Sequence, residues 1–127
     1  MLGSGTCRDF AVLMVEAARA LGLATRFVSG YLYVPERGEQ SARRGGGNTH
    51  AWVRVFLPSG GWAEFDPTNG LVGNRDLIRV AVVRDPLQAV PLSGTWDGEA
   101  GDYLGMEVEV DVVAEEPDDA KRVVRMR

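Results

Sequence analysis

The clearest periodicity in the chain lies between Thr6 and Leu21. There Phe10, Leu13, Met14, Ala17, Ala18 and Leu21 recur at helical spacing and draw one apolar stripe. Thr6, with Asp9 three residues on, forms a T-x-x-D capping pattern, and Gly22 stands where a helix would stop. The spacing predicts a helix over Thr6–Leu21, whose exposed face would suit self-association into a homo-oligomer. The period then changes. Runs of β-branched and aromatic residues predict strands over Thr25–Val34, Thr49–Leu57 and Gly61–Asp66, the last two joined by Pro58-Ser59-Gly60 as a hairpin. Thr68-Asn69-Gly70 reads as a turn, and Arg79–Arg84 and Tyr103–Glu115 read as further strands. In the last of these, Met106, Val108, Val110 and Val112 alternate with Glu107, Glu109 and Asp111. The Pro35–Asn48 stretch, with Arg37, Arg43, Arg44 and three successive glycines, has no apolar repeat and predicts a surface loop, placed to act as a lid. The expected fold is α+β: one N-terminal helix packed on an antiparallel sheet of about five strands. It would form a single domain over 1–115, followed by a charged tail over 116–127.

Composition narrows the class without changing the fold. A chain of 127 residues, 45% hydrophobic and 25% charged, can bury the core of one soluble domain. A net charge of −4 gives no general attraction to nucleic acid or to an anionic membrane. No apolar run approaches membrane length and no signal peptide is visible, so a cytoplasmic location is expected. A single cysteine excludes an internal disulfide and a multi-cysteine zinc site.

That cysteine is the chemically informative residue. Cys7 and His50 are the only residues of their kinds, and Asp66 ends a predicted strand. A thiol, an imidazole and a carboxylate can serve as nucleophile, general base and orienter of the base. Cys7 would lie in the first helical turn, where free N–H groups and the helix dipole favour a thiolate, with Arg8 adding positive charge. The hairpin carries a condition. A two-residue turn at Ser59-Gly60 would pair Val53 with Asp66 and turn Asp66 away from His50. A three-residue loop pairs Leu57 with Gly61 and Trp52 with Asp66, which brings His50 and Asp66 diagonally together on one face. The constellation thus requires the longer loop or an equivalent bulge.

Each residue also has an ordinary use: a buried thiol, a strand histidine, a carboxylate capping a turn. The same three side chains could ligate a metal, but none has the short spacing that marks a zinc site, so no metal and no cofactor is expected. Trp52, Trp62, Phe56 and Phe65 read as core and cleft wall.

The runs GTCRDFAVLMVEAARALGLATRFVSGYL and NTHAWVRVFLPSGGWAEFDPTNG resemble the core of the bacterial transglutaminase-like superfamily, which has a papain-like fold. The resemblance covers roughly Gly3–Val90. It implies Cys7 as nucleophile, His50 as base and Asp66 as orienter, acting on an amide or peptide carbonyl of a protein or peptide through a thioester. Thr49 and Trp52, beside His50, are the expected substrate contacts. Hydrolysis by a protease or amidase is expected over cross-linking, since water is always at hand. Members usually carry further helices and an oxyanion donor before the cysteine helix, which here opens almost at the first residue. The chain is therefore expected to be a piece of a longer protein or a core of impaired activity. The alternative is a papain-like scaffold kept for protein–protein contact.

Overall fold

The computed structural model describes residues 4–34, 48–73, 75–110 and 112. Most of the expected 35–48 loop and the whole 116–127 tail lie outside them. Helix α1 spans Cys7–Ala20 and is closed at both ends by its own sequence. Thr6 Oγ1 accepts the Asp9 N–H while an Asp9 carboxylate oxygen accepts the Thr6 N–H at 2.8 Å, a reciprocal capping box. At the other end Gly22 takes a left-handed φ of 79°, and the N–H groups of Gly22 and Leu23 return to the carbonyls of Arg19 and Ala18.

Five strands follow: β1 (Thr25–Leu32), β2 (Thr49–Leu57), β3 (Gly61–Asp66), β4 (Leu71–Val72) and β5 (Leu77–Val83). They form one antiparallel sheet in the order β4-β3-β2-β1-β5. The α+β architecture of one N-terminal helix on a five-stranded antiparallel sheet is thus present. β2 and β3 have the predicted limits, and their connection is the three-residue loop, with Leu57 opposite Gly61 and Val53 opposite Phe65. Counted along that register, Trp52 faces Asp66.

The sheet has a core on each face. On the helix side, Ala11 and Val15 pack against Phe27, Ala51, Val53 and Val55. On the other side, Val28, Leu32, Trp52 and Leu77 form a smaller cluster. Alternation along β1 and β2 produces both sets, since successive side chains leave opposite faces. Each fully buried Val or Phe contributes about 1.5–3 kcal/mol through the apolar surface it removes from water.

Three expectations are corrected. The helix buries only part of the predicted stripe: Ala18 is buried and Met14 packs on the core, but Leu13 is 68% exposed and Leu21 79%, and Ala11 and Val15, outside the stripe, face the sheet. Small residues at i, i+4 and i+7 let the helix sit close to β1 and β2, and that contact outweighs the greater bulk of the neighbouring stripe. The described part of Tyr103–Glu115 forms no strand; Leu104 there is 98% exposed and nothing offers it a ladder. The sheet reaches five strands instead through β4, too short to show a period, and β5, which begins two residues before the predicted Arg79. A 3-10 turn at Pro86–Ala89 was also not anticipated, although Asp85 and Gln88 form a capping box around Pro86.

Gly30 is required by close approach. A Cβ there would lie 2.0 Å from the Ile78 carbonyl oxygen and 2.8 Å from the Trp52 ring. The β1–β5 register shifts between Ser29 and Gly30, and Gly30 is the cross-strand partner of His50. The missing side chain leaves room for the edge of the Trp52 ring.

Candidate functional site

Cys7 is the first residue of α1, which places its thiol over the end of the sheet where β2 begins. It is half-buried, packs against the helix-side core, and lines a cleft of about 340 Å³ with Gly5, Phe10, Thr49, His50 and Pro67. His50 is the second residue of β2 and Asp66 the last of β3; both are 1% exposed. Their side chains meet across the hairpin, with Nε2 of His50 2.8 Å from a carboxylate oxygen of Asp66. The His50 ring also stacks on Trp52, with centroids 6.0 Å apart. Its second nitrogen, Nδ1, is buried and has no hydrogen-bond partner among the described residues, which leaves it for the cleft.

The turn after β3 fixes the carboxylate. One Asp66 oxygen accepts the backbone N–H groups of Thr68 at 3.0 Å and Asn69 at 3.3 Å. The other accepts the Asn69 side-chain amide at 2.8 Å as well as His50. Asp66 therefore both caps the turn and orients the histidine, because an Asx turn leaves one oxygen pointing back across the strand pair. Asn69 was not singled out from sequence. The signal was the D-P-T-N run, in which an amide three residues after a carboxylate can fold back on it.

Hydrogen bonds, neighbouring charge and burial act together on these three groups. The neighbouring His50 ring is the main influence lowering the Cys7 pKa; burial opposes it, and the backbone amides of Ala51 and Arg8 add to the lowering. Burial disfavours the His50 cation, yet the hydrogen bond to Asp66 and the nearby Cys7 sulfur outweigh it and push the imidazole up to about 9. Burial likewise pushes the Asp66 carboxyl up, but hydrogen bonds from His50 and Asn69 hold it below the usual carboxylate range. All three shifts run toward the charged form of each group.

Two expected contributions differ. Arg8 does not turn its guanidinium toward the thiol; it donates to the carbonyls of Ala89 and Pro86 and covers the Phe27 ring, tying the 3-10 turn to the helix start. Of the two expected substrate contacts, Thr49 is exposed and lines the cleft, whereas Trp52 is 0% exposed and supports His50 from beneath. Among the described residues no group of three or more His, Cys, Asp and Glu is arranged to hold a metal ion. Among them, too, no helix is long and apolar enough to cross a membrane.

Comparison with known proteins agrees with the architecture. A family model described as the transglutaminase-like superfamily matches residues 2–67. An uncharacterized protein of Mycobacterium leprae is 37% identical over 106 residues, which is 84% of this chain and 37% of the relative. One of Mycobacterium tuberculosis is 36% identical over 118 residues, covering 90% of this chain and 37% of the relative. One of Bacillus subtilis is 36% identical over 72 residues, 52% of this chain and 10% of the relative. The chain thus spans well under half the length of these relatives. No solved structure matches it significantly.

Proposed function

Because the chain belongs to the transglutaminase-like superfamily, a group associated with cysteine-dependent acyl transfer and hydrolysis, we propose that it cleaves amide or peptide bonds of a protein or peptide substrate through a Cys7 thioester. The observation that carries this reading is the buried His50–Asp66 contact at 2.8 Å, made on the same cleft that Cys7 lines.

In this scheme the Cys7 thiolate attacks the scissile carbonyl carbon, forming a C–S bond and driving an electron pair onto the oxygen. The N–H of Cys7, at the first helical position, has no intrahelical acceptor and is a natural donor to that oxyanion. When the intermediate collapses, the C–N bond breaks and protonated His50 gives its proton to the leaving amine. Neutral His50 then takes a proton from water, whose oxygen attacks the thioester. The acid departs and the thiolate–imidazolium pair is restored. Asp66 keeps Nε2 engaged, so that Nδ1 is the nitrogen that exchanges protons with the reacting groups. Thr49 on the cleft wall is a substrate contact in this scheme.

An activated ester tests the reading without knowledge of the natural substrate. With p-nitrophenyl acetate, the expected result is a burst of one acetyl group on Cys7, seen by intact mass, followed by turnover. Cys7→Ala should remove both phases, and His50→Ala should leave any acetyl group in place. Acetylation that never turns over in the native protein would refute hydrolysis through this cysteine.

A further inference from the structure

Around Trp62 the structure concentrates arginines that the chemistry at Cys7 does not use. Arg26 on β1 and Arg54 on β2 are direct cross-strand partners, and Arg54 in turn faces Glu64 on β3. Like charges placed directly opposite destabilise a strand pair. Here both guanidiniums lie by the ring of Trp62, at 5.5 Å and 5.6 Å from its centroid, and Phe56 packs edge-on to that ring. Glu64 is 3.8 Å from Arg54 and 3.4 Å from Arg79, so one carboxylate is shared by two arginines.

Trp62 forms a wall common to two open clefts. One, of about 390 Å³, is lined also by Arg19, Arg26 and Arg84. The other, of about 560 Å³, is lined also by Arg54, Arg75 and Arg79, with Glu64 as the only carboxylate among its described residues. Of the six arginines, Arg26, Arg75 and Arg84 are exposed and form no ion pair with a described carboxylate, while Arg19 pairs with Glu16. This local excess of positive charge stands on a chain whose net charge is −4. It also lies away from the Cys7 cleft: Arg26 and Trp62 are each the second residue of their strands, whereas Asp66 ends β3.

We propose that this Arg–Trp surface is a docking site for an acidic segment of a partner protein, with carboxylates entering the two clefts on either side of Trp62. Planar guanidinium groups match carboxylates in bidentate geometry, and Trp62 supplies a flat apolar contact between them. A protein segment fits better than a nucleic acid. The chain as a whole is acidic and would repel an extended polyanion, whereas a short acidic stretch meets only the positive face. Docking here requires nothing of Cys7, so its test is separate from that of the acyl-transfer reading.

The test is titration of the protein with a blocked Glu-rich peptide, followed by tryptophan fluorescence and calorimetry, against a peptide with Gln in place of Glu and an oligonucleotide of equal charge. The expected result is saturable binding of the Glu peptide alone, weakened roughly tenfold or more by raised salt. Arg26→Glu with Arg75→Glu, both exposed positions, should abolish it while leaving the rate of Cys7 alkylation unchanged. Trp62→Ala, at a partly exposed position, should weaken it. Absence of saturable binding to the Glu peptide would overturn the proposal. So would equal affinity for the oligonucleotide, binding that survives the double variant, or concentration-dependent self-association abolished by the same variant, which would assign the face to a second copy of the chain.

Discussion

Nε2 of His50 lies 2.8 Å from the Asp66 carboxylate, and neither side chain is accessible to solvent. An ion pair so deeply buried is costly to break by halves, because the partner left behind is a buried group without compensation. Asp66→Ala should therefore destabilise the fold by about 3–5 kcal/mol, measured by urea unfolding. Asp66→Asn keeps the turn-capping oxygen and should cost less. It should still slow Cys7 alkylation at mildly acidic pH, since without the carboxylate His50 loses its proton more readily and the thiol regains one.

A thiolate–imidazolium pair would have a pH signature in stability as well as in rate. His50 is raised from 6.5 to about 9 and Cys7 is lowered from 9.0. Alone, the raised histidine would stabilise the fold fully below pH 6.5 and lose that contribution as pH rises through about 9. The lowered cysteine does the reverse: its contribution is present above 9.0 and is lost as pH falls through its folded value. Between these limits the folded pair and the unfolded pair each hold one proton, so stability should be nearly flat in the native protein. In Cys7→Ala the histidine contribution remains, held up by Asp66 alone and so smaller than in the native protein. The variant's stability should fall above pH 6.5 by up to about 1.4 kcal/mol per pH unit. Urea midpoints across this range check both curves, and a native protein as steep as the variant would contradict the ion pair.

Turnover should follow a bell. Its acid limb marks protonation of the thiolate, below the ordinary cysteine value, and its alkaline limb marks loss of the His50 proton near pH 9. The pH dependence of ester or amide hydrolysis locates both limbs.

Asn69 donates through its side chain at 2.8 Å to the same Asp66 oxygen that His50 engages. Asn69→Ala should cost about 1.5–3 kcal/mol, the range for a hydrogen bond to a charged group, and move the alkaline limb of the rate profile. A purely structural residue would lower the melting temperature without shifting that limb.

Much of the fold was readable because local signals agreed with the tertiary answer. The Thr6–Asp9 box and Gly22 mark both ends of α1, and Pro58-Ser59-Gly60 sets the register that aligns His50 with Asp66. What was not readable depended on partners distant in sequence. The face α1 buries is chosen by how closely it can approach β1 and β2, which favours Ala11 and Val15 over Leu13. The alternation after Tyr103 has the period of a strand, but a strand needs a neighbouring edge, and the described residues there pair with none. Trp52 suits a cleft by its size, yet its position on the face away from the helix, over side-chain-free Gly30, sends it into the second core. The helix register can be checked directly: Val15→Ala should cost about 2 kcal/mol as a buried truncation, and Leu13→Ala close to nothing.

If His50 holds Cys7 as a thiolate, the chain's single cysteine makes that directly measurable. The rate of iodoacetamide alkylation at about pH 6 should be compared between the native protein and the same protein unfolded in urea. An ordinary thiol is almost wholly protonated at that pH. A thiolate paired with His50 should react at least about tenfold faster in the folded state, even allowing for the lower nucleophilicity of a low-pKa sulfur. Native Cys7 reacting more slowly than the unfolded chain would mean a protonated, shielded thiol and no His50-held thiolate.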